Sequence, residues 1–205
     1  MTGRSAVIVR LRLPEPLERV RVRHDPVAAG GVPAHVTILF PFLPTDQLTP
    51  AVRRTLGRIA AGVAPFEVHF ARVERFPDVV WLAPEPAEPF RVLTERVAEA
   101  FPDFPPYEGL HAEVVPHLTI GHGPGRELDR LERQVAVCPP FSARVGAIEV
   151  IAESGEQRWH RRWRIPLGTS PHGRSTAPAG SGRVGRGSLS VAGGATRGGP
   201  RPGGS

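Results

Sequence analysis

The chain contains one cysteine, Cys138, and no lysine; all 26 residues counted as Lys plus Arg are arginine. A single thiol cannot close an intrachain disulfide, so the fold must rest on burial and hydrogen bonding, a composition that suits a reducing compartment. The arginine-only usage is read as a coding bias. No apolar run approaches transmembrane length, and the apolar residues at 6–9 are followed at once by Arg10 and Arg12, which leaves no secretory h-region. A soluble, cytoplasmic protein with no membrane partner is therefore expected. Gly-x-Ser-x-Gly, Walker-type and kinase signatures are absent, which removes the nucleophile-elbow, P-loop and kinase classes.

Residues 168–205 are also poor in large apolar side chains, being mostly Gly, Ser, Pro, Ala and Arg. Such a segment buries too little surface to offset its ordering entropy, so it is expected to be a disordered tail behind a folded domain at 1–167. It holds five arginines (174, 183, 186, 197 and 201) and no acid, and without them 26 bases against 20 acids become 21 against 20, or +1. The high pI thus belongs largely to the tail and says little about a nucleic-acid surface on the domain.

The domain alternates strand and helix signals. Residues 5–13 read as a strand whose Val7, Val9, Leu11 and Leu13 face a core. Residues 17–23 suit a short helix or a ragged strand, and 35–39 a second strand. A helix over 50–61 is announced by Thr49 as N-cap and Pro50 at its first position. Strands are expected at 66–76 and 79–83, a helix at 90–100, a strand at 114–121, a helix at 126–137, one long strand at 141–152 and a last strand at 157–167.

Within the strands at 35–39 and 114–121 lie two matching strings, His35-Val36-Thr37-Ile38 and His117-Leu118-Thr119-Ile120. Strand side chains alternate, so His and Thr two apart share one face while the intervening aliphatics take the other. Each string is followed by a helix and then strands, which suggests a duplicated unit. The expected fold is α+β and bilobal: two antiparallel sheets flank a central cleft, helices lie outside, and the two lobes are related by a pseudo-twofold.

The paired strings and the element order resemble the 2H phosphoesterase superfamily, most closely its group of 2′-5′ RNA ligase-like proteins, or RNA 2′,3′-cyclic phosphodiesterases. Pro33-Ala34 before the first motif, Leu39-Phe40-Pro41-Phe42 after it, and Pro116 before the second are usual in that group. The resemblance implies metal-independent opening of a cyclic phosphodiester of RNA or of a nucleotide to a 2′-phosphate, together with a reversible 2′-5′ RNA ligase activity. It implies that His35 protonates the leaving ribose oxygen and His117 activates water, while Thr37 and Thr119 bind the phosphate. In-line attack needs a base on one side of phosphorus and an acid on the other, which two imidazoles near their ordinary pKa of ~6.5 can supply. Hydroxyl donors stabilise the charge that builds on the non-bridging oxygens. No cofactor, no metal and no obligatory protein partner is expected, and a monomer is the default. The competing class is a non-catalytic RNA-end or nucleotide-binding module of the same fold.

Other features read as structural. Phe40 and Phe42 suit core packing better than base stacking. Trp159 and Trp163, placed on one face with Ile165, suit the core; Arg161, Arg162 and Arg164 suit solvent. His122, five residues after His117, faces away from it in an unbroken strand. His111, His117 and His122 match neither an i, i+4 pair nor a finger spacing, and no cysteine joins them. Gly121-x-Gly123-x-Gly125 reads as a strand–helix turn.

Overall fold

The structure is a computed structural model that describes residues 3–109, 114–155 and 158–168. The tail expected over 168–205 lies outside these residues except for Gly168, whose N–H donates to the carbonyls of Ala60 and Val63 at 3.0 Å. The elements, in chain order, are β1 (Ser5–Arg10), α1 (Glu15–His24), the short α2 (Pro26–Ala29), β2 (His35–Leu39), α3 (Pro50–Ala61), β3 (Phe66–Phe76), β4 (Val79–Glu85), α4 (Glu88–Ala100), β5 (Leu118–His122), α5 (Gly125–Ala136), β6 (Phe141–Val145), β7 (Ala147–Ser154) and β8 (Arg158–Pro166). Residues 17–23 are helical, within α1. Its first turn holds Glu15 and Glu18 and its last holds Arg21, Arg23 and His24, which complements the helix dipole. Thr49 caps α3 by accepting the Val52 N–H, with Pro50 at the first position, as its sequence dictates.

The strands form one sheet in the order β6-β3-β4-β5-β2-β1-β7-β8, with every pairing antiparallel. This corrects the expectation of two separate sheets: the halves meet through β2 and β5, paired at Val36 and Leu118. The strands are also dealt out differently from a simple tandem repeat. β3 and β4 follow the first His strand in sequence but lie in the half-sheet of the second. The expected long strand at 141–152 breaks at Gly146, and its two pieces go to different parts of the sheet.

That break reveals the curvature. In a flat sheet β6 and β7, six strand positions apart, would be separated by roughly 29 Å at ~4.8 Å per strand. Two residue steps, from Val145 to Ala147, span at most about 7 Å. The sheet must therefore curl until its β6 edge reaches β7. Ser142 and Arg144 of β6 accordingly line one cavity with Glu149 of β7 and with Arg161 and Arg164 of β8. The face bearing those side chains lies inside the curl. The opposite face, carrying Val7, Val9, Val36, Ile38, Leu82, Leu118, Ile120 and Val150, packs with Leu17, Leu56, Leu93 and Leu128 of the helices into the main core. A smaller cluster of Ala6, Ile8, Val32 and Ile151 sits on the inner face.

Helix α1 ends hard against β5. A Cβ added at Gly121 would lie 2.5 Å from the His24 Cβ, 2.9 Å from a Leu131 methyl and 3.0 Å from the His24 carbonyl oxygen. Gly121→Ala is expected to destabilise the fold by about 1–3 kcal/mol through overpacking. Gly57→Ala, in mid-α3 with no atom within 4 Å of the added carbon, should stabilise it by about 0.5–1 kcal/mol. Urea midpoints of the two variants against the parent chain measure both.

Candidate active site

Val36 and Leu118 are fully buried and directly opposite each other. Continuing that antiparallel register sets Thr37 opposite His117 and His35 opposite Thr119. Because residues alternate, all four turn away from the helices, onto the inner face. Opposed positions have Cβ atoms about 4.5–5.5 Å apart, and diagonal positions such as His35 and His117 lie about 7–8 Å apart. The four residues singled out in the sequence are thus brought together as an alternating quartet, in which each imidazole faces the other strand's hydroxyl. All four are partly exposed, as the floor of an open cleft must be.

Both imidazoles are held in the same way. His35 Nδ1 lies 2.7 Å from the Pro33 carbonyl oxygen, and His117 Nδ1 lies 2.8 Å from that of Val115. A carbonyl only accepts, so Nδ1 carries the hydrogen in each ring, and neutral imidazole leaves Nε2 with its lone pair free. The Pro33 anchor is itself anchored. Arg21, almost wholly buried, donates to the adjacent Val32 carbonyl at 2.9 Å and pairs with buried Asp25 at 2.9 Å. Asp25 also caps α2 by accepting from the Val27 N–H. His117 instead leans edge-on against Phe76 and Trp81, with ring centroids at 5.1 and 5.8 Å.

Enclosure shifts both rings away from the ordinary histidine value that the sequence suggests. Burial pushes His35 down to about 4. The Pro33 hydrogen bond opposes this, the Arg21 and His117 charges add to it, and Asp25 counters it. Burial likewise lowers His117, opposed by the Val115 hydrogen bond and assisted by the His122 charge. Both rings are therefore neutral near pH 7 in the empty cleft.

Several neighbours escape a reading by alternation. The β4–β5 register slips between Val80 and Trp81, so Val80 opposes Gly121 and Val79 opposes His122. This bulge turns His122 to the face of Thr119, a correction to its expected outward aim. Its Nε2 lies 3.9 Å from the Asp25 carboxylate. A second slip, between Val150 and Ile151, does the same in β8. Trp163 keeps to the helix-side core, while Trp159 crosses to the inner face and meets Phe40 at 6.3 Å. Phe42 is core, as expected. Tyr107 gave no signal in the sequence. Its phenol is hydrogen-bonded to the Thr37 side chain, and its N–H donates to the Phe40 carbonyl at 2.7 Å. It sits in a turn where Tyr107 (φ 50), Glu108 (φ 56) and Gly109 (φ 75) are all left-handed, a strain tolerated chiefly where a side chain must be aimed. Together Tyr107, Phe76, Val115 and His117 line a largely apolar cavity of about 390 Å³ beside the quartet.

His111 lies outside the described residues, and among those described no three His, Cys, Asp or Glu side chains cluster as metal ligands. No helix among them is long and apolar enough to cross a membrane.

The depressed His35 pKa has a consequence for stability. An unfolded chain takes up a proton near pH ~6.5, whereas the native ring resists until about pH 4. Stability is therefore fully present above pH 6.5 and falls as the pH drops towards 4, by up to about 3 kcal/mol from this group. His35→Gln should flatten the urea midpoint over that window; an unchanged acid slope would show that the ring is not shielded.

Residues 9–157 match the family model of the 2′-5′ RNA ligase superfamily. Two proteins that carry a phosphoesterase name, from Bacillus thuringiensis (strain Al Hakam) and Bacillus cereus (strain AH187), are each 34% identical over 107 residues, 51% of this chain. The match spans 59% of the length of those relatives. The crystal structure of TT0787 of Thermus thermophilus superposes with a TM-score of 0.51 at 21% identity, over 81% of this chain and 98% of that one. Escherichia coli LigT complexed with 3′-AMP gives 0.49 at 19% identity, over 82% and 99%. With the family model spanning residues 9–157, which include both His-x-Thr strings, the chain belongs to the 2′-5′ RNA ligase superfamily.

Proposed function

We propose that the chain is a metal-independent phosphoesterase that opens 2′,3′-cyclic phosphates of RNA or nucleotides to 2′-phosphates, with reversible 2′-5′ ligation when a 5′-hydroxyl takes the place of water. The observation that supports this reading is the quartet: two imidazoles on a diagonal, each with Nε2 free, alternating with two hydroxyls on one face. A diagonal of about 7–8 Å leaves room for one phosphate between the rings.

In this scheme the anionic phosphodiester enters between two neutral imidazoles and raises their proton affinity, so that one ring becomes charged. His117 Nε2 takes a proton from water as the water oxygen bonds to phosphorus. The bond from phosphorus to the ribose 3′ oxygen breaks, and that oxygen receives the proton held on His35 Nε2. The products are a 2′-phosphate and a 3′-hydroxyl. Thr37 and Thr119 donate to the non-bridging oxygens as their charge grows. The Tyr107 phenol fixes the rotor of Thr37. The apolar cavity of Phe76, Tyr107 and Val115 beside His117 suits a nucleobase. The chain acts as a monomer with no cofactor.

Purified protein given nucleoside 2′,3′-cyclic phosphates is expected to release the 2′-phosphate at an unchanged rate in excess EDTA. His35→Ala and His117→Ala should each lower kcat by about 10²–10⁴. Thr37→Val or Thr119→Val should cost about 10²-fold. The two depressed histidines place the optimum of kcat/KM below the ordinary imidazole value, with the kcat optimum closer to neutrality because bound phosphate raises the acid. Loss of activity with EDTA, or full activity in both alanine variants, would overturn the reading. Tight binding with no turnover would assign a non-catalytic module instead.

A further inference from the structure

The inner face carries a second built feature, on the far side of His35 from the apolar cavity. Five arginines, Arg10, Arg12, Arg144, Arg161 and Arg164, line a groove of about 430 Å³ whose only acidic lining residue among the described residues is Glu149. Glu149 is buried and already engaged by Arg161 at 3.4 Å, and Arg144 pairs with Glu67 at 3.3 Å. Arg10, Arg12 and Arg164 are exposed and have no carboxylate partner among the described residues. Guanidinium groups arriving from β1 and the residues just after it, from β6 and from β8 repel one another across a shared hollow unless an anion fills it. They reach that hollow only because the sheet curls its β6 edge round to β7.

The groove is joined to the quartet through β1. Arg10 is the register partner of His35, and the two share the inner face. Arg10 and Arg12 also line a second concavity with Pro33 and Ala34, the residues that lead into His35. An anionic chain whose end lies between the two histidines would therefore pass Arg10 first and then the rest of the groove.

We infer that this groove holds the phosphodiesters on the 5′ side of the terminal nucleotide, so that an oligonucleotide end is turned over in preference to a free cyclic mononucleotide. The inference rests on the cyclic-phosphate reading of the quartet and adds to it a subsite that reads chain length. Guanidinium forks grip phosphate bidentately while ignoring base identity, so the groove confers length preference and salt sensitivity without sequence preference. The apolar cavity at His117 and the groove at His35 then flank the reacting phosphorus, one taking a base and the other the backbone.

The test compares the full chain with the double variant Arg12→Gln/Arg164→Gln, both exposed positions outside the quartet. The substrates are uridine 2′,3′-cyclic phosphate and an oligouridylate hexamer with the same terminus. In the parent chain, kcat/KM for the hexamer should exceed that for the mononucleoside at least tenfold at low salt. In the double variant that advantage should vanish while mononucleoside turnover is unchanged. The slope of log(kcat/KM) against log(salt) for the hexamer should become shallower by about 1.4, two contacts at about 0.7 each on a single strand. Equal turnover of both substrates by the parent, or an equal loss on both in the variant, would overturn the groove. If the parent turns over neither, the catalytic reading fails, and fluorescence anisotropy of a hexamer ending in a 2′-phosphate decides the groove alone. Binding at least tenfold weaker in the double variant supports it; unchanged binding overturns it. Displacement of the hexamer by polyglutamate of equal charge at equal concentration would assign an acidic peptide and also overturn it.

Discussion

The antiparallel contact between β2 and β5 at Val36 and Leu118 is the constraint on which the rest of the structure depends. It joins two half-sheets into one, and it fixes the register that sets each imidazole opposite a hydroxyl. The contact is short, so its precision comes from its surroundings. Val36 and Leu118 are sealed among Ile38, Ile120, Leu82 and the apolar faces of the helices, where a slip of one residue would bury four polar groups and expose the aliphatics. The hydrophobic core thus enforces the chemistry of the opposite face. The same alternation that makes each strand half-buried presents two histidines and two threonines on the inner face.

Around that register, polar anchoring does what packing cannot. A strand sets where a side chain starts, but an imidazole still has two torsions and two tautomers. A carbonyl two residues upstream removes both freedoms at His35 and at His117. The rings differ in what stands behind them. His35 is backed by the buried Arg21–Asp25 pair, which ties α1 to the loop before β2, whereas His117 rests on aromatic edges. Breaking such a buried pair by removing one partner would strand the other charge, at a cost of about 3–5 kcal/mol. The pair is therefore best seen as fixing the entry of β2. Burial, common to both rings, lowers their proton affinity and keeps them neutral near pH 7.

Much of this was legible in the sequence because it follows from local periodicity. The two His-x-Thr strings, the Thr49–Pro50 helix start and the alternation of Val7, Val9 and Leu11 each report on their own strand or helix. What escaped is non-local or breaks the period. The bulges in β5 and β8 each insert one residue, and one residue is enough to reverse the aim of His122 and to part Trp159 from Trp163. Nothing in a window of a few residues announces them. The break at Gly146 escaped for a related reason: an apolar, β-prone run from 141 to 152 looks continuous whether or not its halves pair with the same neighbour. Tyr107 depends on a left-handed turn in a Pro-rich stretch, and its contact with Thr37 spans 70 residues of chain. The arginine groove escaped because its members, ordinary surface residues on or just after β1, on β6 and on β8 when each segment is read alone, converge only when the sheet curls.

The central claim is that two neutral imidazoles, with Nε2 of each turned to the cleft, close on a single phosphate and take up a proton only when it binds. Nitrogen-15 NMR of the histidine rings, followed from pH 3.5 to 8 with and without a nucleoside 2′-monophosphate, tests it most directly. The account predicts that both cleft rings stay in the Nδ1–H tautomer to below pH 6.5 when the site is empty, His35 to about pH 4. On binding the nucleotide, one of the two should be protonated near neutral pH. Two rings that titrate independently near 6.5 and ignore the nucleotide would contradict it.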